Sequence, residues 1–459
     1  MKSRSRREFI KKSSALGIGT LIIPHFTRVS ANSKVNIAVI GAGGRGWRNF
    51  TSFLNKENPE QSENIVAFCD VCDKRAASAY EALPEVPRFK DFRKMLDKMH
   101  KDIDAVIIST PDHTHFPAAM ASMQMGKHVY VEKPLAHNIW QLRTLSKAAS
   151  HYNVIAQMGN QGHSSDGIRR VKEWVDAGVT GDVREVFAWF SGPEFKQDGY
   201  FLKPKNYPPQ TSPVPGELDW DLWLGPALER EYTDYYHPRF WRGWYDFGCG
   251  ELGDWACHTL DAPFWSLDLG TPTVVEPEHS DRNQMPEQFV TNSSILRFEF
   301  PARGNNPPVI MKWHEGGLQP DNRPEWLMDE MSNNGMIMVG SEKSVRTDGR
   351  PNDSRLVMPE EEWKVYQENP SEPVIPRIPD ESPHHEWLNA IKGSGPMPVS
   401  DFNYASRLTE MALMGVLAQR FDTRIEFDAK NMEITNHTEL NQYLKEPVRK
   451  GWEYGEDLW

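Results

Sequence analysis

The chain has 459 residues, 39% of them hydrophobic and 25% charged, with a formal net charge of -12. That balance suits a soluble chain of two or three domains and argues against nucleic acid and anionic membrane surfaces as partners. Four cysteines are too few for a disulfide framework, and no apolar run is long enough to span a bilayer.

In chain order, the first feature is an address. Arg6 and Arg7 precede a short apolar run over 15–23, and Val29-Ser30-Ala31 offers the small residues a signal peptidase accepts. Residues 5–11 resemble a twin-arginine (Tat) motif. Residues 1–31 are therefore expected to send an already folded protein to the periplasm or beyond, with no stable membrane anchor.

Residues 32–157 then alternate short apolar runs, at 37–40, 65–68, 106–108, 128–131 and 154–158, with helical spacing at 91–99, 117–125 and 139–151. Continuous apolar strands between helices predict a parallel sheet covered on both faces, a doubly wound α/β domain. Gly41-Ala42-Gly43-Gly44-Arg45-Gly46 follows the first strand and opens a helix, the context in which G-x-G-x-x-G signals a dinucleotide site. The glycines permit a tight turn and let backbone N–H groups approach a pyrophosphate. Asp70 ends the second strand, where a carboxylate accepts from the ribose hydroxyls and repels a 2′-phosphate, which favours NAD over NADP. Cys69 and Cys72 form a C-x-x-C, but no second pair completes a metal site, so two small core residues are expected and no metal.

Two stretches follow the next strands, Ser109-Thr110-Pro111-Asp112-His113-Thr114-His115 and Val131-Glu132-Lys133-Pro134, and both fall on the carboxyl edge where open parallel sheets bind ligands. Lys133 is either catalytic or a structural partner of Glu132. Residues 158–459 read as an α+β domain on a large open, mainly antiparallel sheet. Helices are expected at 166–177, 384–391 and 402–420, and strands at 183–190, 294–300, 309–314 and 335–339. Residues 192–247 are a long irregular excursion rich in Pro, Trp, Tyr and Gly, uncommon unless functional. Asp254 and His258 stand four apart on a helical segment, hence one turn apart on one face. A dehydrogenase needs a base near neutral pH and a cation to steady a developing alkoxide. His258 oriented by Asp254 fits the first role and Lys133 the second.

G-x-G-x-x-G with a following Asp, Thr110-Pro111 with His115, Glu132-Lys133-Pro134, and Asp254 with His258 together resemble the Gfo/Idh/MocA family of oxidoreductases. The resemblance implies a Rossmann domain plus a second domain whose open sheet often mediates oligomers, so a homodimer or homotetramer is expected. It implies sugar, polyol or glycoside substrates. It casts Lys133, Asp254 and His258 as the catalytic trio, and places Gly41, Gly43, Gly46, Asp70, Thr110, His115 and Glu132 near NAD. Gly44 and Arg45 of the glycine loop are expected there too. Asn160, Gln161 and His163 open the second domain and are expected to face the nicotinamide or the substrate.

Trp220, Trp223, Trp241, Trp244, Trp255 and Trp265 crowd one region with Tyr235, Tyr236 and Tyr245. Aromatic faces stack on sugar C–H faces while Arg239, Arg242 and Asp246 take the hydroxyls, although a core or an oligomer interface uses the same residues. Trp241, Arg242 and Tyr245 are the expected substrate contacts. The reading is an exported NAD-dependent oxidoreductase that converts a secondary hydroxyl of a sugar or glycoside, at pyranose C3 by family analogy, to a ketone with a tightly held cofactor. Two alternatives stand beside it: a glycosidase working by transient oxidation and elimination, and a non-catalytic sugar-binding relative.

Overall fold

The apolar runs of the first half become β1 (Asn36–Ile40), β2 (Asn64–Cys69), β3 (Arg88–Phe89), β4 (Ala105–Ile108), β5 (His128–Glu132) and β6 (Ala156–Gly159). They pair in parallel in the order 3-2-1-4-5-6. This computed structural model describes residues 34–459, so the expected export signal lies outside the described residues. Every residue of β4 is buried, as a central strand with helices on both faces requires. The strand order reverses between β1 and β4, and the loops leaving those two strands open the crevice in which such sheets bind ligands. The sheet ends at Gly159, two residues past the expected division.

The second sheet has nine strands. They are β7 (Val183–Phe190), β8 (Val274–Asp281), β9 (Ser293–Phe300), β10 (Val309–Glu315), β11 (Asn334–Gly340), β12 (Val345–Asp348), β13 (Ser354–Leu356), β14 (Ile425–Asp428) and β15 (Glu433–Ile434). They run in the order 13-12-11-7-10-9-8-14-15, antiparallel except between β7 and β10. β9 alternates buried and half-exposed residues along its length, the pattern of a sheet with one packed face. Helix Phe402–Phe421 lies against both halves, touching helix Ile139–His151 on one side and β8 and β9 on the other. Its N-terminus is capped by Asp401, whose side chain accepts from Tyr404 N.

The C-terminal segments return to the first domain. Trp387 and Ile391 of helix Pro383–Lys392 join the core of the first sheet, and His384 stacks on Tyr130 at 4.9 Å. Among the described residues no helix is long and apolar enough to cross a membrane, and no cluster of His, Cys, Asp and Glu could hold a metal ion. All four cysteines are buried free thiols.

Candidate active site

A cavity of about 540 Å³ follows the carboxyl edge of the first sheet and runs on between the two halves. At one end the glycine loop turns from β1 into helix Arg45–Thr51. A Cβ on Gly46 would lie 1.7 Å from the Gly41 carbonyl oxygen, so only glycine lets the helix start this close to the strand. A Cβ on Gly43 would lie 2.3 Å from the Arg75 carbonyl oxygen. Gly41, Gly43, Gly44 and Arg45 line the cavity, whereas Gly46 serves the packing behind it. Asp70 also lines it. Its Oδ2 accepts from Ala42 N (2.9 Å) and Gly43 N (3.3 Å), and its Oδ1 from Cys72 N (2.9 Å). Burial raises the Asp70 carboxyl above its ordinary value, and these backbone donors oppose that rise. Thr110 Oγ1 is buried in the same wall with no partner among the described residues. A glycine cradle, a carboxylate beyond it and an unsatisfied hydroxyl facing the cavity fit a dinucleotide.

At the other end Lys133, just after β5, reaches into the second half. Its Nζ donates to Asp254 Oδ1 and to the Asp254 carbonyl, both at 2.6 Å. Glu132 is not its partner: Glu132 Oε1 accepts from Asn49 Nδ2 at 2.9 Å and lies 3.7 Å from Arg45 Nε. Arg242 Nε approaches the same Asp254 oxygen at 3.4 Å, so one carboxylate sits between two cations. Burial alone would push the Asp254 carboxyl up, but Lys133 and Arg242 outweigh it and hold the group well below the usual carboxylate range.

His258 is not oriented by Asp254. The chain opens into a π-helical turn over Leu252–Ala256, so residues four apart no longer superpose as they do in an α-helix. His258 Nδ1 instead donates to Asn160 Oδ1 at 2.8 Å, while Asn160 Nδ2 donates to Asp261 Oδ2 at 2.8 Å. The Asp261 carboxylate can only accept from a nitrogen, which fixes the amide and therefore the imidazole tautomer. Nε2 is left as the unprotonated nitrogen, without a partner among the described residues, at the cavity wall. Burial, reinforced by the charges of Lys133 and Arg350, holds this imidazole neutral, well below its ordinary value.

Of the remaining expected residues, Thr110, Glu132, Trp241 and Arg242 line the cavity. Asn160 stands behind His258 and acts through it. Gln161 does not reach the wall, because its Nε2 is spent on Gly159 O at 2.7 Å. His115 bridges two backbone carbonyls, Pro134 O (2.8 Å) and Thr110 O (2.9 Å), and so ties the two ligand-edge loops together rather than touching a cofactor. His163 is fully buried, held at 2.9 Å by Asp261 and packed on Trp265 and Tyr404. Tyr245 is buried too, with its hydroxyl on Gln419 Oε1 at 3.1 Å. These two are core residues, not substrate contacts. Trp223 and Trp255 reach the cavity, whereas Trp244 packs on Phe289 and Trp220 on Trp223, and Asp246 pairs with Arg230.

The irregular excursion supplies one whole wall through Tyr200, Trp223, His237, Arg239, Trp241 and Arg242. Sequence reasoning missed Arg350, which lines the cavity from the turn between β12 and β13, and Asp112, a buried carboxyl whose Oδ2 accepts from Cys249 N at 3.1 Å. The Asp254/His258 spacing pointed to the right helix. Nothing local in the sequence points to Arg350.

Residues 35–160 match the NAD-binding Rossmann fold of an oxidoreductase family (GFO_IDH_MocA), and residues 165–295 match that family's C-terminal alpha/beta domain. Among curated proteins, the chain is 30% identical over 199 residues to a "Glycosyl hydrolase family 109 protein" of Solibacter usitatus, covering 40% of this chain and 45% of that one. It is 28% identical over 93 residues to a levoglucosan dehydrogenase of Pseudarthrobacter phenanthrenivorans, covering 20% and 23%. The matches thus span less than half the length of these curated relatives. Among solved structures, the WlbA dehydrogenase of Bordetella pertussis, in complex with NADH and UDP-GlcNAcA, shares the fold with a TM-score of 0.58 at 17% identity, over 86% of this chain and 99% of that one.

Proposed function

We propose that this chain, a member of the Gfo/Idh/MocA oxidoreductase family carrying both its NAD-binding and its C-terminal domain, oxidises a secondary hydroxyl of a sugar or glycoside to a ketone, at pyranose C3. The observation that carries the reading is the convergence, on one cavity with the glycine loop, of a free imidazole Nε2 and an ammonium held by a carboxylate. NAD, when bound, supplies the acceptor for the hydride. The residues of this chain manage the proton and the charge. The substrate O–H proton passes to His258 Nε2 as the carbinol hydrogen leaves as hydride, and C=O forms. Two of the three N–H bonds of Lys133 are taken by Asp254, and the third is free to hold the reacting oxygen as charge builds on it. Trp241 lines the same cavity as an aromatic surface for the sugar ring, whereas Trp255 is stacked on Phe190 and covered by Arg350.

Export through the twin-arginine pathway with NAD already seated in the folded protein accounts for a dehydrogenase outside the cytoplasm. A cofactor held through export would need a second acceptor to enter the same cavity and take the hydride back, and the open second sheet joins copies of the chain. The name of the Solibacter relative favours a second reading, in which the ketone is transient, the neighbouring C–H is lost with the glycosidic substituent, and the hydride is returned. Protein purified without denaturation, tested for bound NAD by mass spectrometry and then given a glycoside with no added cofactor, separates the two. Keto-glycoside with a reduced nicotinamide supports oxidation. Net release of free sugar with no ketone supports the redox-neutral route, and bound NAD that none of a broad glycoside panel reduces or turns over overturns both.

A further inference from the structure

The catalytic end of the cavity is more cationic than oxidation of a neutral sugar requires. Four cations line it: Lys133, Arg239, Arg242 and Arg350. The carboxyls there are Asp254, already shared by Lys133 and Arg242, Asp112, which accepts from Cys249 N, and Glu132, which accepts from Asn49 Nδ2 and lies 3.7 Å from Arg45 Nε. Arg350 is half-buried and stacked on the Trp255 ring at 4.7 Å, and Trp255 lies edge-on to His258 at 5.7 Å. Its guanidinium makes no ion pair or hydrogen bond among the described residues, although Arg45 and the carboxyls of Asp254, Asp348 and Glu132 act on it. Arg242 is stacked in the same manner, on Trp241 at 4.2 Å and on Tyr200 at 4.5 Å.

A stacked guanidinium is fixed in its plane, and its edge remains a fork of donors shaped for a carboxylate or phosphate. Leaving such a fork half-buried and unpaired is costly, in a chain whose net charge of -12 offers carboxylates in excess. Arg45 and Arg48 already stand at the glycine loop, where a pyrophosphate belongs; Arg350 feels Arg45 but is stacked on Trp255 beside His258, at the substrate end.

From this geometry, and resting on the oxidoreductase reading above, we infer that the substrate is an anionic sugar whose carboxylate or phosphate is received by Arg350, with Arg242 beside it. The sugar ring then lies against Trp241, with its reacting hydroxyl toward Lys133 and His258. No further co-reactant is required, because the anionic group only binds.

The experiment uses the protein as purified, with its bound cofactor. Methyl glycosides of gluco, galacto and manno configuration are each offered as the uronate, the uronate methyl ester, the neutral hexoside and the hexoside 6-phosphate, and binding is measured by calorimetry alongside nicotinamide reduction. One anionic form should bind roughly tenfold to a hundredfold tighter than its neutral counterpart. A uronate preference identifies a carboxylate and a 6-phosphate preference a phosphate. Arg350→Gln should erase that discrimination, read as the ratio of anionic to neutral affinity, whatever the loss of its charge beside His258 does to turnover. Equal handling of charged and neutral forms, or discrimination that survives Arg350→Gln, overturns the inference and leaves the oxidoreductase reading standing. Loss of bound cofactor from Arg350→Gln with discrimination intact also overturns it, because Arg350 then serves the dinucleotide. Failure of every form to bind or to reduce the nicotinamide overturns both.

Discussion

Asn160→Leu tests the arrangement of the base. The substitution keeps approximate size and removes two hydrogen bonds of 2.8 Å, one from His258 Nδ1 and one to Asp261. A neutral bond of this kind contributes about 1 kcal/mol net, and a buried donor left unpaired costs about 1–3 kcal/mol. The tautomer with Nε2 free therefore loses about 1.5–3 kcal/mol of its preference, and each 1.36 kcal/mol is tenfold in rate, so kcat should fall roughly tenfold to a hundredfold. Asn160 does not line the cavity, so KM and bound NAD, measured by turnover and by mass spectrometry of released cofactor, should hold. Asn160→Asp keeps an acceptor for Nδ1–H and should recover part of kcat, even with a second carboxylate beside Asp261. A kcat for Asn160→Leu within a few-fold of the parent would show that His258 Nε2 is not the proton acceptor.

The pH profile provides an independent check. His258 must be neutral to accept a proton, and burial holds its titration below the ordinary 6.5. The acid limb of kcat/KM should therefore lie below pH 6.5 and the profile stay flat through neutrality; a limb at or above 6.5 counts against this imidazole as the base. Asp254→Asn leaves Lys133 and Arg242 without their shared carboxylate and should cost about 3–5 kcal/mol in urea unfolding. Lys133→Met in the same background should add much less than it does alone, because the two residues form one unit. Gly46→Ala forces a Cβ against the Gly41 carbonyl, which is backbone and cannot swing aside. It should cost about 3 kcal/mol or more and yield protein without NAD, whereas retained cofactor and an unchanged melting temperature would contradict the close packing of strand and helix.

What could be read from the sequence follows from where burial leaves a local signature. The central parallel strands are buried on both faces and stand out as unbroken apolar runs, and 183–190 matches β7 to the residue. β8 carries Pro277 among acidic and polar residues, and β3 is only two residues long, so neither has a pattern to detect. The glycine loop, Asp70, Lys133 and His258 were legible because each follows a strand or marks a helix in a way chemistry constrains. The partner of His258 was not, because the four-residue spacing assumes an α-helix and the chain opens to a π turn there. His163 and Tyr245 looked like site residues by proximity in sequence, yet each satisfies a buried partner on a distant element. Arg350 is brought in by the meander of β11 to β13, a long-range event that no window of sequence contains.

Asp254 does not orient His258, as its spacing suggested, but stands between two cations. Two cations facing each other in a buried cavity repel, and the Asp254 carboxylate between Lys133 and Arg242 relieves that repulsion. With Asp254 in place the pair persists, and the remaining positive field, added to burial, keeps the proton affinity of His258 low. So weak a base does not strip an alcohol in advance; it accepts the proton as hydride departs and the hydroxyl becomes acidic. The imidazolium then formed beside two cations is a strong acid, ready to return its proton to a carbonyl oxygen. A site that traps neither end of the reaction runs in both directions, as the proposed retention of one cofactor would require. The remaining N–H of Lys133, on a substrate carbonyl, would acidify the adjacent C–H by the same contact that steadies the alkoxide. Net oxidation and redox-neutral cleavage thus draw on one constellation, and they part at whether a second group receives that neighbouring proton.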